Sequence, residues 1–372
     1  MSNPVTYQLA STPITAHAFN QSKLVVCPNN NEAQIYEHDH SNWNLEATLQ
    51  GHDKVITSID IAPNSNRIVT CSQDRNAYVW TLEQGVWKPG LVLLRINRAA
   101  TFVRWSPNED KFAVASGARC IAVCYYEEES DWWASKHLKK PIRSTVLSID
   151  WHPNNVLLAA GSADMKARVF SAYLKGIDKK PAPTVWGDKL PFNTVCGEFT
   201  GGRGGWVHTV AFSPSGDAIA FAGHDSAINV AYPSADGNHT VLNIPTNTLP
   251  FRSLLWANER QIIAAGFGCA PMLFETSNGS DWRLSGSLDL GKKKVSTTAS
   301  VLSRFKSMDS RGQAEQDTDL ATTHQNTIIE IRRYAGTREN LTQFSTCGLD
   351  GKVAIWEFDP SHLSTDIAGL KI

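Results

Sequence analysis

A pattern of three short strands recurs along the chain and limits what it can fold into more than any other feature does. Each copy has an alternating apolar strand that ends in a Pro turn, a second apolar strand rich in small residues, an Asp turn and a third strand. Pro63, Asp74 and Trp80 mark these points in the clearest copy. In four copies the Pro precedes the end of the third strand by 17 residues, and in four the Asp precedes it by six. Such fixed internal spacing indicates a structural repeat.

The pattern occurs seven times along the chain. The third strands end at Tyr36, Trp80, Cys124, Phe170, Ala231, Phe274 and Trp356. Four of the six steps between these ends are 43–46 residues long, which fits the roughly 40–45 residues of a WD40 blade with its four short strands. We therefore predict an all-β fold in which residues 1–372 form a single seven-bladed β-propeller of the WD40 type. In such rings the N-terminal segment supplies the outer strand of the last blade, and residues 5–9 alternate suitably for that role.

The two longer steps contain extra residues. They are 61 residues long, ending at Ala231, and 82 residues long, ending at Trp356. The larger one predicts an inserted extension over residues 291–325, between blades six and seven. Its sequence predicts a short helix followed by a mobile polar loop.

Apolar residues of this extension recur at helical spacing. Val301, Leu302, Phe305 and Met308 fall at i, i+1, i+4 and i+7, which places them on one stripe of a short helix. Arg304 lies beside them and could contact an acidic surface. Because a tethered apolar stripe has little of its own to cover, we interpret these five residues as a protein-binding element. The alternative is that the stripe folds back on the propeller.

One histidine is predicted to have a structural role. Gly51 and His52 begin the second repeat, and His52 with Ser72, Asp74 and Trp80 fits the hydrogen-bonded tetrad of WD40 blades. A buried His linked to such partners ties strands together and satisfies its own polar atoms, so a catalytic role is the weaker interpretation.

Motifs for catalysis, cofactors and metals do not occur in the sequence. There is no His-Glu-x-x-His or Cys-x-x-Cys motif, and the seven cysteines are scattered. The Gly-rich residues 201–205 lack the Lys-Ser/Thr of a phosphate-binding loop. The formal net charge of −1 gives no reason to expect nucleic acid as a partner. Without an apolar run of roughly 18 residues or a signal peptide, we expect no membrane association and a cytoplasmic location.

Two further segments have features that the repeat does not explain. Trp132 and Trp133 are adjacent on a predicted strand, so they point to opposite sides of it. Packing between blades is the simpler explanation for both, but one of them could face a partner. Residues 139–143 are basic, and this segment is either a solvated face or a contact for an acidic partner.

Several long stretches resemble one family, the WD40 subunit, subunit 1, of the actin-related protein 2/3 complex. The stretches are residues 65–80, 94–100, 105–114, 140–148 and 150–161. The resemblance covers nearly the whole chain and becomes weaker in the first 15 residues and over residues 309–319. It implies a non-catalytic scaffold subunit, without cofactors, of a cytoplasmic assembly that nucleates branched actin filaments at the actin cytoskeleton. It also implies that the propeller packs on subunits 4 and 5 and that the extension, with its segment 300–305, contacts the actin filament and nucleation-promoting activators.

Two other classes of function stay open. The chain could be a generic WD40 peptide-binding adaptor, such as a ubiquitin-ligase substrate receptor, and a ring of Arg or Lys at the mouth of the central channel would favour that function. An enzyme built on a propeller would need converging carboxylates or a His cluster in the channel.

Overall fold

The computed structural model describes residues 3–20, 22–39, 42–234, 239–291 and 320–360. Its strands form seven blades of four antiparallel strands in chain order, and the outer strands of blades 2 and 3 are joined by one parallel pairing of Val92 with Trp133. The predicted all-β propeller is therefore confirmed. The predicted helix lies within residues 292–319, outside the described residues. The predicted extra residues of the 61-residue step lie mainly between the third and fourth strands of blade 4.

The first four blades contain these strands: β2 (Ala16–Phe19), β3 (Lys23–Cys27), β4 (Glu32–Asp39) and β5 (Asn42–Gln50) in blade 1; β6 (Ile56–Ile61), β7 (Ile68–Ser72), β8 (Ala77–Glu83) and β9 (Val86–Val92) in blade 2; β10 (Ala100–Trp105), β11 (Lys111–Ser116), β12 (Cys120–Glu127) and β13 (Trp132–Leu138) in blade 3; and β14 (Val146–Trp151), β15 (Leu157–Ser162), β16 (Lys166–Ser171) and β17 (Val195–Thr200) in blade 4.

The other three blades contain these strands: β18 (Val207–Phe212), β19 (Ile219–Gly223), β20 (Ala227–Pro233) and β21 (His239–Pro245) in blade 5; β22 (Phe251–Asn258), β23 (Gln261–Gly266), β24 (Met272–Glu275) and β25 (Arg283–Ser287) in blade 6; and β26 (Ile328–Gly336), β27 (Leu341–Gly348), β28 (Lys352–Glu357) and β1 (Val5–Gln8) in blade 7.

The N-terminal strand closes the ring. β1 pairs antiparallel with β28, with Val5 opposite Ile355 and Gln8 opposite Lys352. The predicted outer strand of the last blade is therefore confirmed. Tyr7 on this strand packs against the apolar cluster between blades 7 and 1.

Seven apolar clusters lie between successive blades within the described residues, and the last one joins blade 7 to blade 1. The alternation of β11 shows how the sequence produces them. Phe112 and Val114 pack toward blade 2, whereas Ala113 and Ala115 pack toward blade 4. Because both faces of this strand are covered, its four central residues, 112–115, are all apolar instead of alternating with polar residues.

The Asp turns of the repeat lie between the second and third strands. The residue after the Asp has a positive φ in four blades, at Arg75, Met165, Ser226 and Gly351. In blade 2 the Asp74 carboxylate accepts a hydrogen bond from the Asn76 N–H at 2.8 Å, which fixes the turn locally. These turns and the connections between blades lie on one face of the ring, and the turns between first and second strands lie on the other.

Removing residues 1–10 should destabilise the ring. The deletion exposes the edge of β28 and uncovers the cluster that Tyr7 contacts, so we expect a melting temperature lower by several degrees, with more aggregation. Removing only residues 1–4 leaves β1 intact and serves as the control in the same thermal scan. Equal melting of the two truncated proteins and the full chain would show that β1 does not close the ring.

Candidate protein-binding site

The two ends of the predicted extension meet at the surface of the ring. A Cβ atom added to Gly291 would come within 3.3 Å of the Ala321 carbonyl oxygen, so the two backbones are in contact. The Thr323 N–H donates a hydrogen bond to the Asp289 carboxylate at 2.6 Å. The chain therefore leaves blade 6 and returns to blade 7 at one point. This point lies on the face of the ring that carries the connections between blades.

The predicted binding residues Val301, Leu302, Arg304, Phe305 and Met308 lie outside the described residues, and their role stays a prediction. At the base of the extension, the side chains of Leu290 and Leu320 are 69% and 47% exposed. Both leucines therefore present apolar surface beside the point where the extension begins and ends.

His52, in the connection before β6, links β7, β8 and the Asp turn of blade 2 through a buried tetrad. Its Nδ1 lies 2.8 Å from an Asp74 carboxylate oxygen, and its Nε2 lies 2.9 Å from the Thr70 hydroxyl oxygen. The Trp80 indole N–H donates to the same hydroxyl oxygen at 2.9 Å. Burial lowers the pKa of His52, although hydrogen bonding to Asp74 opposes the shift. A neutral imidazole that donates to Asp74 and accepts from Thr70 satisfies every member of the tetrad.

The prediction that Ser72 supplies the tetrad hydroxyl was wrong. Thr70 and Ser72 lie two residues apart on β7, so both side chains point to the same side, and only Thr70 lies within reach of His52 and Trp80. Ser72 instead donates to the Lys54 carbonyl oxygen at 2.8 Å and accepts from the Asp74 N–H at 3.1 Å. Its hydroxyl therefore fixes the Asp turn.

The adjacent tryptophans of blade 3 lie in different environments. Trp133 is buried in the apolar cluster that also contains Val79 and Val92 of blade 2, which confirms the packing between blades. Trp132 is 46% exposed, and its indole N–H donates to Glu127 at 3.0 Å. In the basic segment that follows, Lys139 and Lys140 are exposed, so the sequence-based alternatives for that segment stay open.

The first strand of every blade lines a central channel with a cavity of about 630 Å³. Glu330 lies beside it in blade 7 and has partners from β2, from β10 and from its own strand, β26. One oxygen lies 2.5 Å from Arg104 and 3.1 Å from Arg332, and the other accepts the backbone N–H of His17 at 3.1 Å. Burial alone would raise the pKa of Glu330, but the two guanidinium groups outweigh it and hold the pKa well below its usual range.

Arg332 extends this network to blade 2. Its guanidinium lies 2.9 Å from the Asp60 carboxylate and donates to the Ile59 carbonyl oxygen at 2.8 Å. Burial acts to lower the pKa of Arg332, but Glu330 and Asp60 raise it above its usual value. Asp60 also accepts the Trp105 backbone N–H at 2.7 Å, so the network joins blades 1, 2, 3 and 7.

Within the described residues, one group of side chains of the kinds that bind metal ions lies close together. Ligand atoms of His17, Glu330 and Cys347 all lie within 4.8 Å of one another. The guanidinium groups on Glu330 already balance its charge and would repel a cation. Burial also raises the pKa of Cys347 well above its usual value, so its sulfur is a thiol and not the thiolate that binds metals. The arrangement fits an internal ion-pair network better than a metal centre.

Comparisons with known proteins agree with this architecture. A sequence model described as "WD domain, G-beta repeat" matches residues 43–81 and 135–171. The chain is 50% identical to actin-related protein 2/3 complex subunit 1 of Schizosaccharomyces pombe over 366 residues, which cover 92% of this chain and 96% of that protein. The chain belongs to the actin-related protein 2/3 complex subunit 1 family.

Other members of the subunit 1 family match over nearly the same length. Subunit 1A-B of Xenopus laevis is 50% identical over 370 residues, which cover 98% of this chain and 99% of that protein. Subunit 1 of Saccharomyces cerevisiae is 43% identical over 377 residues, which cover 94% and 96%. The described part of the chain contains no helix that is long and apolar enough to span a membrane.

A second tetrad, which was not predicted from the sequence, occurs in blade 7. His324 Nδ1 lies 3.1 Å from Asp350, and its Nε2 lies 2.7 Å from the Thr346 hydroxyl oxygen, to which Trp356 donates at 2.8 Å. The sequence did contain the signal for this second tetrad. Thr346 and Asp350 precede Trp356 by ten and six residues, and the tetrad of blade 2 has the same spacing. His324 lies at the end of the extension, so this tetrad anchors the chain where it returns to the ring.

Replacing Thr70 with Val should destabilise blade 2. The substitution leaves buried polar atoms of His52 and Trp80 without partners, and we expect the free energy of unfolding to fall by about 1–3 kcal/mol. Thr70→Ser keeps the hydroxyl and is the matched control. Urea denaturation measures the difference between the two variants. If Thr70→Val is as stable as Thr70→Ser, the tetrad does not stabilise the blade.

Proposed function

We propose that this chain is a non-catalytic scaffold subunit of the actin-related protein 2/3 complex and supports the nucleation of branched actin filaments. The observation that carries the proposal is the 50% identity, over nearly the full length, to relatives named as subunit 1 of that complex. The partners are the other subunits, notably subunits 4 and 5, and the location is the cytoplasmic actin cytoskeleton. Residues 1–372 act as one propeller domain with an extension at residues 291–325.

A scaffold function is compatible with the charges of the channel. Glu330 and Asp60 are paired with guanidinium groups, and burial lowers the pKa of His17. A general acid or base needs a proton that it can exchange with a substrate near neutral pH. These paired and buried groups are poorly suited to that role, which supports a chain that holds other proteins without acting on them.

The extension is the part of the chain that we assign to the actin filament and to activators. Val301, Leu302, Arg304, Phe305 and Met308 form its contact surface. Two observations support a role outside the ring. The ends of the extension meet at Asp289 and Thr323, and the described residues already close all seven contacts between blades. The ring therefore does not need the extension for its own packing.

The adaptor hypothesis has less support. It requires positive charge around the mouth of the channel, to hold peptides in the manner of a substrate receptor. Arg333 and Arg338 do lie at the mouth, but both belong to blade 7 and do not form a ring. This arrangement favours a local site over a receptor surface that surrounds the channel.

Replacing both Leu302 and Phe305 with Ala tests the assignment of the extension. Burying one large apolar side chain contributes roughly 1.5–3 kcal/mol, so losing two such anchors should weaken a contact by about tenfold or more. We expect normal incorporation of the variant into the reconstituted complex and clearly weaker branch formation in an actin polymerisation assay.

The matched control replaces the exposed Leu249 with Ala, which removes apolar surface elsewhere on the ring and should leave branching unchanged. Failure of the double variant to enter the complex would show that the extension belongs to the subunit interface or to the packing of the ring. Normal incorporation with normal branching would contradict the assignment of the extension.

A further inference from the structure

The turn between the last two strands of blade 3 carries four carboxylates. They belong to Glu127, Glu128, Glu129 and Asp131. The turn is closed by its own backbone, because the N–H groups of Ser130 and Asp131 both donate to the Glu127 carbonyl oxygen, at 3.2 and 2.9 Å. Four negative charges are therefore held close together on one short hairpin turn.

Two of these carboxylates have partners on the hairpin, and the other two face the solvent. Glu127 accepts a hydrogen bond from the indole N–H of Trp132 at 3.0 Å, and Asp131 accepts one from the Tyr126 hydroxyl. The side chains of residues 128–129 are exposed, and neither forms a hydrogen bond or an ion pair with any of the described residues. These two glutamates are therefore available to a partner.

The surroundings do not neutralise this turn. The ammonium of Lys136, further along β13, lies over the Tyr125 ring at 5.8 Å from its centre and forms no ion pair with the turn. Hydrogen bonding to Asp131 raises the pKa of Tyr126, and the charges of Asp131 and Glu128 act in the same direction. No Lys or Arg of the described residues opposes that shift, so the electrostatic potential at the turn is negative.

An exposed apolar surface adjoins these charges. β13 pairs in parallel with β9, the outer strand of blade 2, through Trp133 and Val92. Leu91 and Trp132 each precede one member of this pair, so both point to the other side of the strands and lie on neighbouring strands about 5 Å apart. Their side chains are 49% and 46% exposed. An exposed tryptophan beside an exposed leucine is a surface of the kind that proteins use for contacts with partners.

We propose that this outer edge of blade 3 binds a basic segment of a partner protein, with an arginine of the segment stacked on Trp132 and held by Glu128 and Glu129. A guanidinium group stacks on the face of an indole ring, and its planar fork matches a carboxylate. An apolar neighbour in the segment packs on Leu91. The carboxylates repel the phosphates of nucleic acids and anionic lipids, so a basic protein segment is the complementary partner. The site lies on the circumference of the ring, away from the channel, and does not depend on the function proposed for the extension.

A labelled peptide tests this site on the purified full-length chain. The probe is a fluorescein-labelled Gly-Ser nonapeptide with one leucine followed by two arginines at its centre, and fluorescence anisotropy measures its dissociation constant. We expect saturable binding that Trp132→Ala weakens by about tenfold, which corresponds to about 1.4 kcal/mol. Trp132→Phe keeps an aromatic ring and should bind more tightly than Trp132→Ala. Replacing Glu128 and Glu129 together with Gln should also weaken binding and reduce its dependence on salt.

Each part of the site has a matched control. Trp206→Ala removes another exposed tryptophan, on the connection between blades 4 and 5. Glu37→Gln combined with Asp39→Asn removes two exposed carboxylates from β4 of blade 1, so the net charge changes equally. Both control variants should bind the probe as the unchanged chain does, and a peptide with two glutamines in place of the arginines should bind more weakly.

Three results would each overturn the proposal. The first is that the unchanged chain shows no saturable binding. The second is that a control variant weakens binding as much as its counterpart at the site does. The third is that the glutamine peptide binds as tightly as the arginine peptide. Thermal scans of all variants should give nearly equal melting temperatures, because the substituted side chains are exposed.

Discussion

Closure of the ring at blade 7 is the constraint on which the rest of the structure depends. Each blade buries its two faces only against its neighbours, so one open contact would expose two apolar faces. The chain prevents this by pairing its first described strand, β1, with its last, β28. The cluster of Tyr7, Leu24 and Val353 then covers the gap between blades 7 and 1.

Blade 7 also reaches across the channel, which an ordinary closing blade does not need to do. Glu330 binds Arg104 of blade 3 and the backbone of blade 1, and Arg332 binds Asp60 of blade 2. Removing one partner of such a buried ion pair leaves an uncompensated charge in the channel. The free-energy cost of that charge is larger than the stabilisation that the intact pair provides. These contacts therefore fix the position of blade 7 relative to the opposite half of the ring.

A ring fixed in this way suits a protein that holds others in place. The extension leaves the ring on one face, where a hydrogen bond between Asp289 and Thr323 joins its two ends. The second tetrad, with His324, lies beside the point where the chain returns to the ring. The extension is added to the frame without interrupting the contacts between blades, so it can change without opening the ring.

The blades were predictable from sequence because their pattern is local. Pro63, Asp74 and Trp80 set a spacing within one blade, and repetition of that spacing identified the others. The tetrad hydroxyl was assigned wrongly because Thr70 and Ser72 point to the same side of β7, and spacing alone does not tell which one reaches the ring nitrogen. The channel network could not be predicted, since the pair of Arg104 and Glu330 joins residues 226 positions apart.

We assign the contact with actin to the extension. This assignment stays a prediction, because Leu302 and Phe305 lie outside the described residues. The central claim, that this ring is a scaffold subunit, concerns the whole chain and can be measured directly. Native mass spectrometry of the tagged chain, gently purified from its own cells, should show one copy of it in an assembly with two actin-related proteins and the smaller subunits. A chain recovered alone, or bound to ubiquitin-ligase components in their place, would contradict the account.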